Sequence, residues 1–172
     1  MDQQHAIADV LNLVDEMLKE ATRYHLVLVV GSHEEQLSGV LRDVVAQRKY
    51  PVLDMGLRLS ETLVTVPEVR RALKAGGAVR DLVSQAAGAS AVLAIDNVDI
   101  LFDPALSLNP LDLLTDISRG LTLIVAWPGR CTWSEQSMLT SLSHADPSHD
   151  EYRNYTHADT TAIIDLERTE AR

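Results

Sequence analysis

One cysteine, one phenylalanine and two tryptophans stand among 172 residues. The lone thiol, Cys131, forms no internal disulfide, and a zinc site built from several cysteines is excluded. Such usage fits a reducing cytosol. With so few rings, the core has to be aliphatic. No apolar run approaches the ~20 residues that span a bilayer. The N-terminus has neither the basic region nor the apolar stretch of a secretory signal. The expectation is a cytoplasmic protein without a membrane segment. Cations are scarce too: 15 Lys and Arg against 25 Asp and Glu leave a formal net charge of −10. Such a surface repels nucleic acid and acidic membranes at long range, which argues against DNA binding by the chain alone.

What is present reads as globular. Apolar residues make up 46% and charged residues 23%, ordinary values for one domain with a sizeable core. The domain expected is 1–172, with a leading amphipathic helix in 1–24 and a core over 25–168. In HAIADVLNLVDEMLKEAT, 5–22, Ile7, Val10, Leu11, Val14, Met17, Leu18 and Ala21 share one helical face. That face either covers the sheet or meets a partner helix. HLVLVV, 25–30, is a continuous apolar run, as in a buried parallel strand. A helix follows from Glu34 to about Arg48, with Leu37, Val40, Leu41, Val44 and Val45 in period.

YPVLDMG, 50–56, reads as a second strand. Pro67 opens a helix to about Ala87, with Val69, Leu73, Val79, Leu82 and Val83 inward and a break or kink at Gly76-Gly77. AVLAID, 91–96, is the third strand, 108–118 a helix, and LTLIVAW, 121–127, the fourth strand. A short helix over 133–142, a loop over 143–160 and a fifth strand, TAIIDL, 161–166, complete the reading. Alternating strands and helices give an α/β fold: a three-layer α/β/α sandwich around a five-stranded, mainly parallel sheet.

Two motifs lie at strand ends, where such sheets bind ligands. The first is VVGSHEEQLSGVL, 29–41. Against the phosphate-loop consensus G-x-x-x-x-G-K-[ST], Gly31 and Ser38 match, while Gln36 replaces the second glycine and Leu37 the lysine. The second is VLAIDNVDILFDP, 92–104, four apolar residues and then Asp96. Magnesium takes hard oxygen ligands, and a strand end holds a carboxylate rigidly.

With these motifs the chain resembles a P-loop NTPase core of the additional-strand type. More narrowly, it is similar to the BrxF family, the small P-loop-type proteins of BREX phage-defence systems. The leading helix, IDNVDILFDP, LTLIVAWPG and EYRNY (151–155) carry that resemblance over most of the chain. It implies a subunit of a bacterial anti-phage complex, with other subunits and a larger ATPase as partners, and homo-oligomers as an option. Gly31, Ser32, Gln36, Leu37 and Ser38 would form a degenerate phosphate loop. Ser38 and Asp96 would hold magnesium only where a nucleotide binds.

Leu37 lacks the charged contact to phosphate, worth on the order of 1.5–3 kcal/mol. Ser32-His33-Glu34-Glu35 fits a capping box, Ser32 to the Glu35 amide and Glu35 back to Ser32. Its carboxylates would then occupy the anion-binding end of the helix. Asn97 stands where the resemblance expects a glutamate to polarise water, and Trp127-Pro128 where it expects a polar sensor. The expectation is a non-catalytic subunit acting through protein–protein contact, with no cofactor or only weak ATP/Mg binding. The alternatives are an ATPase active in an oligomer or with a partner ATPase, Arg130 acting in trans, and an ATP sensor without turnover.

Three further groups have plainer readings. Arg70, Arg71, Lys74 and Arg80 read as a solvated helix face or a partner contact. His144, His149 and His157 among Asp146, Asp150 and Asp159 fit no common zinc spacing. Trp127, Trp133 and Tyr155 are core or interface residues.

Overall fold

The computed structural model describes residues 2–20, 23–136, 138–145, 147–156 and 162–168. Its order is α1 (Gln3–Lys19), β1 (Leu26–Gly31), α2 (Glu34–Arg48), β2 (Val52–Asp54), α3 (Met55–Val64), α4 (Glu68–Ala87), β3 (Val92–Asp96), α5 (Pro110–Ile117), β4 (Thr122–Trp133), β5 (Leu139–His144), β6 (Arg153–Tyr155) and β7 (Ala162–Asp165). Two short 3-10 turns, Val98–Phe102 and Pro104–Leu106, follow β3.

The strands pair in the order β2-β3-β4-β1-β7, every pair parallel. β1 is buried along its whole length, because its alternating side chains serve two cores. Leu26, Leu28 and Val30 face α3, α4 and α5, whereas Val27 and Val29 face α1 and α2. The result is a sheet with helices on both sides, as the alternation of elements predicts. The apolar row of α1, Ala6, Ile7, Val10, Leu11 and Val14, is spent on the sheet. Leu18 is instead 47% exposed, since α1 ends one residue later. Ala21 lies outside the described residues. Among them, no helix is long and apolar enough to cross a membrane.

Several expectations need correction. β2 has only three residues, and Met55 and Gly56 open α3, a helix absent from the sequence reading. Asp54 ends the strand and caps the helix by accepting from the Leu57 amide at 2.9 Å. α4 runs through Gly76 and Gly77 without a break. Its inward row starts only at Ala75, so Val69 and Leu73 point to solvent, 93% and 83% exposed.

No helix forms among the described residues of 133–142: Trp133 ends β4, and β5 starts at Leu139. β4 continues past the parallel sheet to Trp133 and pairs antiparallel with β5, which pairs antiparallel with β6. The sheet therefore has seven strands, five in the parallel path and two in this extension. Part of the 143–160 segment is thereby ordered as strand, and Ala162–Asp165 form the last parallel strand.

Candidate functional site

The β1–α2 junction is a tight turn. Gly31 is paired with Pro128 as the last strand residue, and α2 starts at Glu34, so only Ser32 and His33 connect them. The helix therefore begins inside the span that the consensus uses as a loop. The amides of Gln36 and Leu37 are turned inward, donating to the His33 carbonyl at 3.1 Å each. Gln36, Leu37 and Ser38 all stand on the first turns of α2. A Cβ on Gly31 would meet Leu166 and Leu37 at 3.5–3.6 Å, an ordinary contact, so nothing in the turn requires glycine.

The expected capping box does not form. The residue before the helix is His33, with no side-chain cap. Ser32 turns away from Glu35 to Glu167, just beyond β7. Its amide donates to the Glu167 carboxylate at 2.8 Å, and its hydroxyl donates to the same oxygen. These bonds hold the Glu167 carboxyl below its ordinary pKa against the opposing effect of burial, with smaller help from Arg130 and His33. An internal carboxylate thus occupies donors that a phosphate would need. The hollow above the turn, about 480 Å³, is lined by Ser32, His33, Glu34, Glu35 and Gln36. Two further carboxylates therefore face it, in the first turn of α2.

Leu37, at the lysine position, is 2% exposed and belongs to the apolar cluster with Val29, Leu41 and Leu166. It serves the core that α2 makes against the sheet.

Asp96 ends β3 opposite Asp54 on β2. Its carboxylate accepts from the Asn97 amide at 2.9 Å. Asn97 adopts a left-handed φ of 54° and donates through Nδ2 to Asp54 at 2.9 Å. A Cβ on Gly56 would stand 3.1 Å from the Asn97 carbonyl. Asn97, at the position where a water-polarising glutamate was expected, is thus a strut between β3 and the start of α3. Asp54, Asp96 and Arg58 line a cavity of about 460 Å³. β4 separates β1 from β3, so Gly31 and Asp96 lie on strands two apart, roughly 10 Å by strand spacing. Asp96 and the Ser32 turn line different cavities, and Ser38 lines neither. Among the described residues no group of three or more His, Cys, Asp or Glu is placed to hold a metal ion.

The antiparallel extension frames a third cleft, about 530 Å³, bordered by Ser32, Asp99, Arg130 and His144. Periodicity gave no sign of it. Trp127, the neighbour of Pro128 on β4, is fully buried, donates to the Ser143 carbonyl at 3.0 Å and meets Phe102 and Tyr155 edge-on. Trp133 donates to Asp165 at 2.7 Å, and Arg168 lies 4.4 Å over its ring. Both tryptophans, and Tyr155, are used inside the chain. The Cys131 thiol is pushed up to about 12, by burial first and then by Asp165 and Glu167. It therefore stays protonated at neutral pH. Arg130 is exposed on β4.

His144 is 2% exposed and stacks on Phe102 with centroids 3.4 Å apart. Its Nδ1 lies 2.9 Å from the Pro128 carbonyl, which can only accept, so Nδ1 carries the proton. Nε2 faces Asp99 at 3.9 Å. Burial lowers the His144 pKa, opposed by the Pro128 carbonyl and Asp99. The native state therefore binds fewer protons than the unfolded chain. Stability is expected to fall as pH drops through the unfolded value of about 6.5 and to level off below the native one. Urea titrations between pH 7.5 and 5 check this, with His144→Phe as the control that flattens the profile. An equally steep profile in that variant would contradict the assignment. His157, Asp146 and Asp159 lie outside the described residues.

In the basic group, Arg80 pairs with Asp116 at 2.7 Å and Arg71 donates to the Val66 carbonyl at 3.1 Å. Neither Arg70 nor Lys74 has an ion-pair partner among the described residues.

Comparison with family models, with curated proteins and with solved structures gives no match in any of the three.

Proposed function

We propose that this chain is a non-catalytic, P-loop-fold subunit of a BREX-like anti-phage defence complex, acting through protein–protein contact. The observation that carries the non-catalytic reading is the Glu167 carboxylate bonded to both the amide and the hydroxyl of Ser32. Leu37, sunk in the core, supplies no charge to phosphate. Asn97 braces Asp54 instead of activating water. The P-loop reading draws support from β4 lying between the strand of the turn and the strand of Asp96, the arrangement for which the additional-strand class is named. The defence assignment rests on IDNVDILFDP, LTLIVAWPG and EYRNY. In this reading the chain needs no cofactor, and its partners are other subunits of the complex.

One observation favours a second reading. Asp54 and Asp96 share a cavity at the carboxyl edge of the sheet, and two carboxylates are ligands that magnesium accepts. An ATPase completed by a neighbouring copy or a partner ATPase, with Arg130 in trans, would use them, as would an ATP sensor. Phage challenge of a host carrying the whole defence system separates the readings. The non-catalytic reading expects Asp96→Ala and Ser38→Ala to protect as well as the parent. Loss of protection by a folded Asp96→Ala protein would favour the second reading.

A further inference from the structure

The first two turns of α4 carry an apolar row with no core beneath it. Val69 and Leu73, at i and i+4, are 93% and 83% exposed, while the buried row of the same helix starts at Ala75. Beside this ridge runs a groove of about 610 Å³ between α3 and α4. Its charged lining is Arg58, Arg70, Lys74 and Asp81, three cations to one anion on a chain of net charge −10. Arg58 is paired with Glu61 at 2.9 Å, whereas Arg70 and Lys74 have no ion-pair partner among the described residues. The groove also contains Gly77. A Cβ there would meet nothing within 4 Å, so packing inside the chain does not require glycine, and mid-helix glycine weakens a helix. A missing side chain at that place lets a second backbone come close.

We propose that the α3–α4 face is a docking groove for an amphipathic helix of a partner protein, its apolar row on Val69 and Leu73 and its acidic flank on Arg70 and Lys74. Helix-in-groove binding needs apolar anchors at such a spacing, and the unpaired cations set the sign of the partner. A second copy fits poorly. A two-fold contact would set Arg70 and Lys74 against the same residues of the other copy. Nucleic acid and anionic membranes are disfavoured by the net charge. The inference stands apart from the nucleotide reading: ATP binding would overturn that reading and leave this one in place.

The probe is a synthetic amphipathic helical peptide with a leucine row flanked by glutamates, together with its twin in which lysines replace the glutamates. Both are titrated onto the full chain by calorimetry and methyl NMR. The glutamate peptide is expected to bind and to shift the Val69 and Leu73 methyls. Leu73→Asp should weaken it at least tenfold, and Gly77→Leu should weaken it too. Arg70→Glu with Lys74→Glu should reverse the preference, so that the lysine twin binds instead. All four positions are exposed, and circular dichroism verifies that each variant folds. Three results would overturn the proposal. One is no binding, or equal binding of the two peptides. Another is self-association abolished by Leu73→Asp, which would make a second copy the occupant. The third is sedimentation with phosphatidylserine vesicles lost in the same variant, which would make a membrane the occupant.

Discussion

Gly129→Ala is expected to dismantle the antiparallel extension and to cost about 3 kcal/mol or more. β4 changes partner at this residue: Pro128 still pairs with β1, and Gly129 pairs with His144 of β5. A Cβ on Gly129 would overlap the carbonyl oxygen of Ser143. Both backbones are fixed by the ladder, so no side-chain rotation relieves the clash. Overpacking alone costs about 1–3 kcal/mol. Moving the Ser143 carbonyl also strands the Trp127 indole N–H, which donates to it at 3.0 Å. A buried donor left without a partner adds about 1–3 kcal/mol. Against a total stability of about 5–15 kcal/mol, that is a large loss. Urea unfolding followed by tryptophan fluorescence measures it. An unchanged midpoint would mean that β5 does not cross β4 as closely as described.

Leu37→Lys is expected to destabilise the fold by at least about 2 kcal/mol and to leave nucleotide binding absent. The substitution restores the consensus lysine, so a merely eroded loop would gain affinity. Here Leu37 is 2% exposed in the cluster against the sheet. Losing a buried leucine forfeits about 1.5–3 kcal/mol, and the ammonium that replaces it is desolvated. The native state disfavours the charged form, so the introduced group has a depressed pKa when folded. The unfolded chain then binds more protons, and the deficit shrinks as pH rises toward the unfolded lysine value of about 10.4. Thermal melts at pH 6 and pH 9 check the sign. A variant as stable as its parent that also binds MgATP would contradict the account.

The parallel strands were legible because burial on both faces leaves plain apolar runs, as in β1 and the first half of β4. The bounds of α2, Glu34–Arg48, followed from its apolar period. Less visible elements have identifiable physical reasons. α3 follows β2 with no separating residue, since Asp54 is both strand end and cap. β5, LTSLSH, has a polar pattern, with only Leu142 and His144 buried, so the alternation that marks a strand is faint. In α4 the apolar period extends two turns beyond the core it serves, and periodicity alone does not say where the core stops. The closure of the Ser32 turn was hidden for another reason. Its partner, Glu167, is 135 residues away, and local sequence holds no trace of that contact. Glu34 and Glu35, expected to face Ser32 in a capping box, stand in the first turn of α2, while Glu167 takes the bonds of Ser32.

Under the proposed function, Ser32, Glu167 and Leu37 close the turn after β1 to nucleotide. Calorimetric titration of the full chain with ATP and magnesium, with Asp96→Ala as control, tests it most directly. The account predicts no heat of binding at millimolar ATP for either protein. Saturable binding by the parent that is lost in Asp96→Ala would contradict it, and would make Asp96 part of a working nucleotide site.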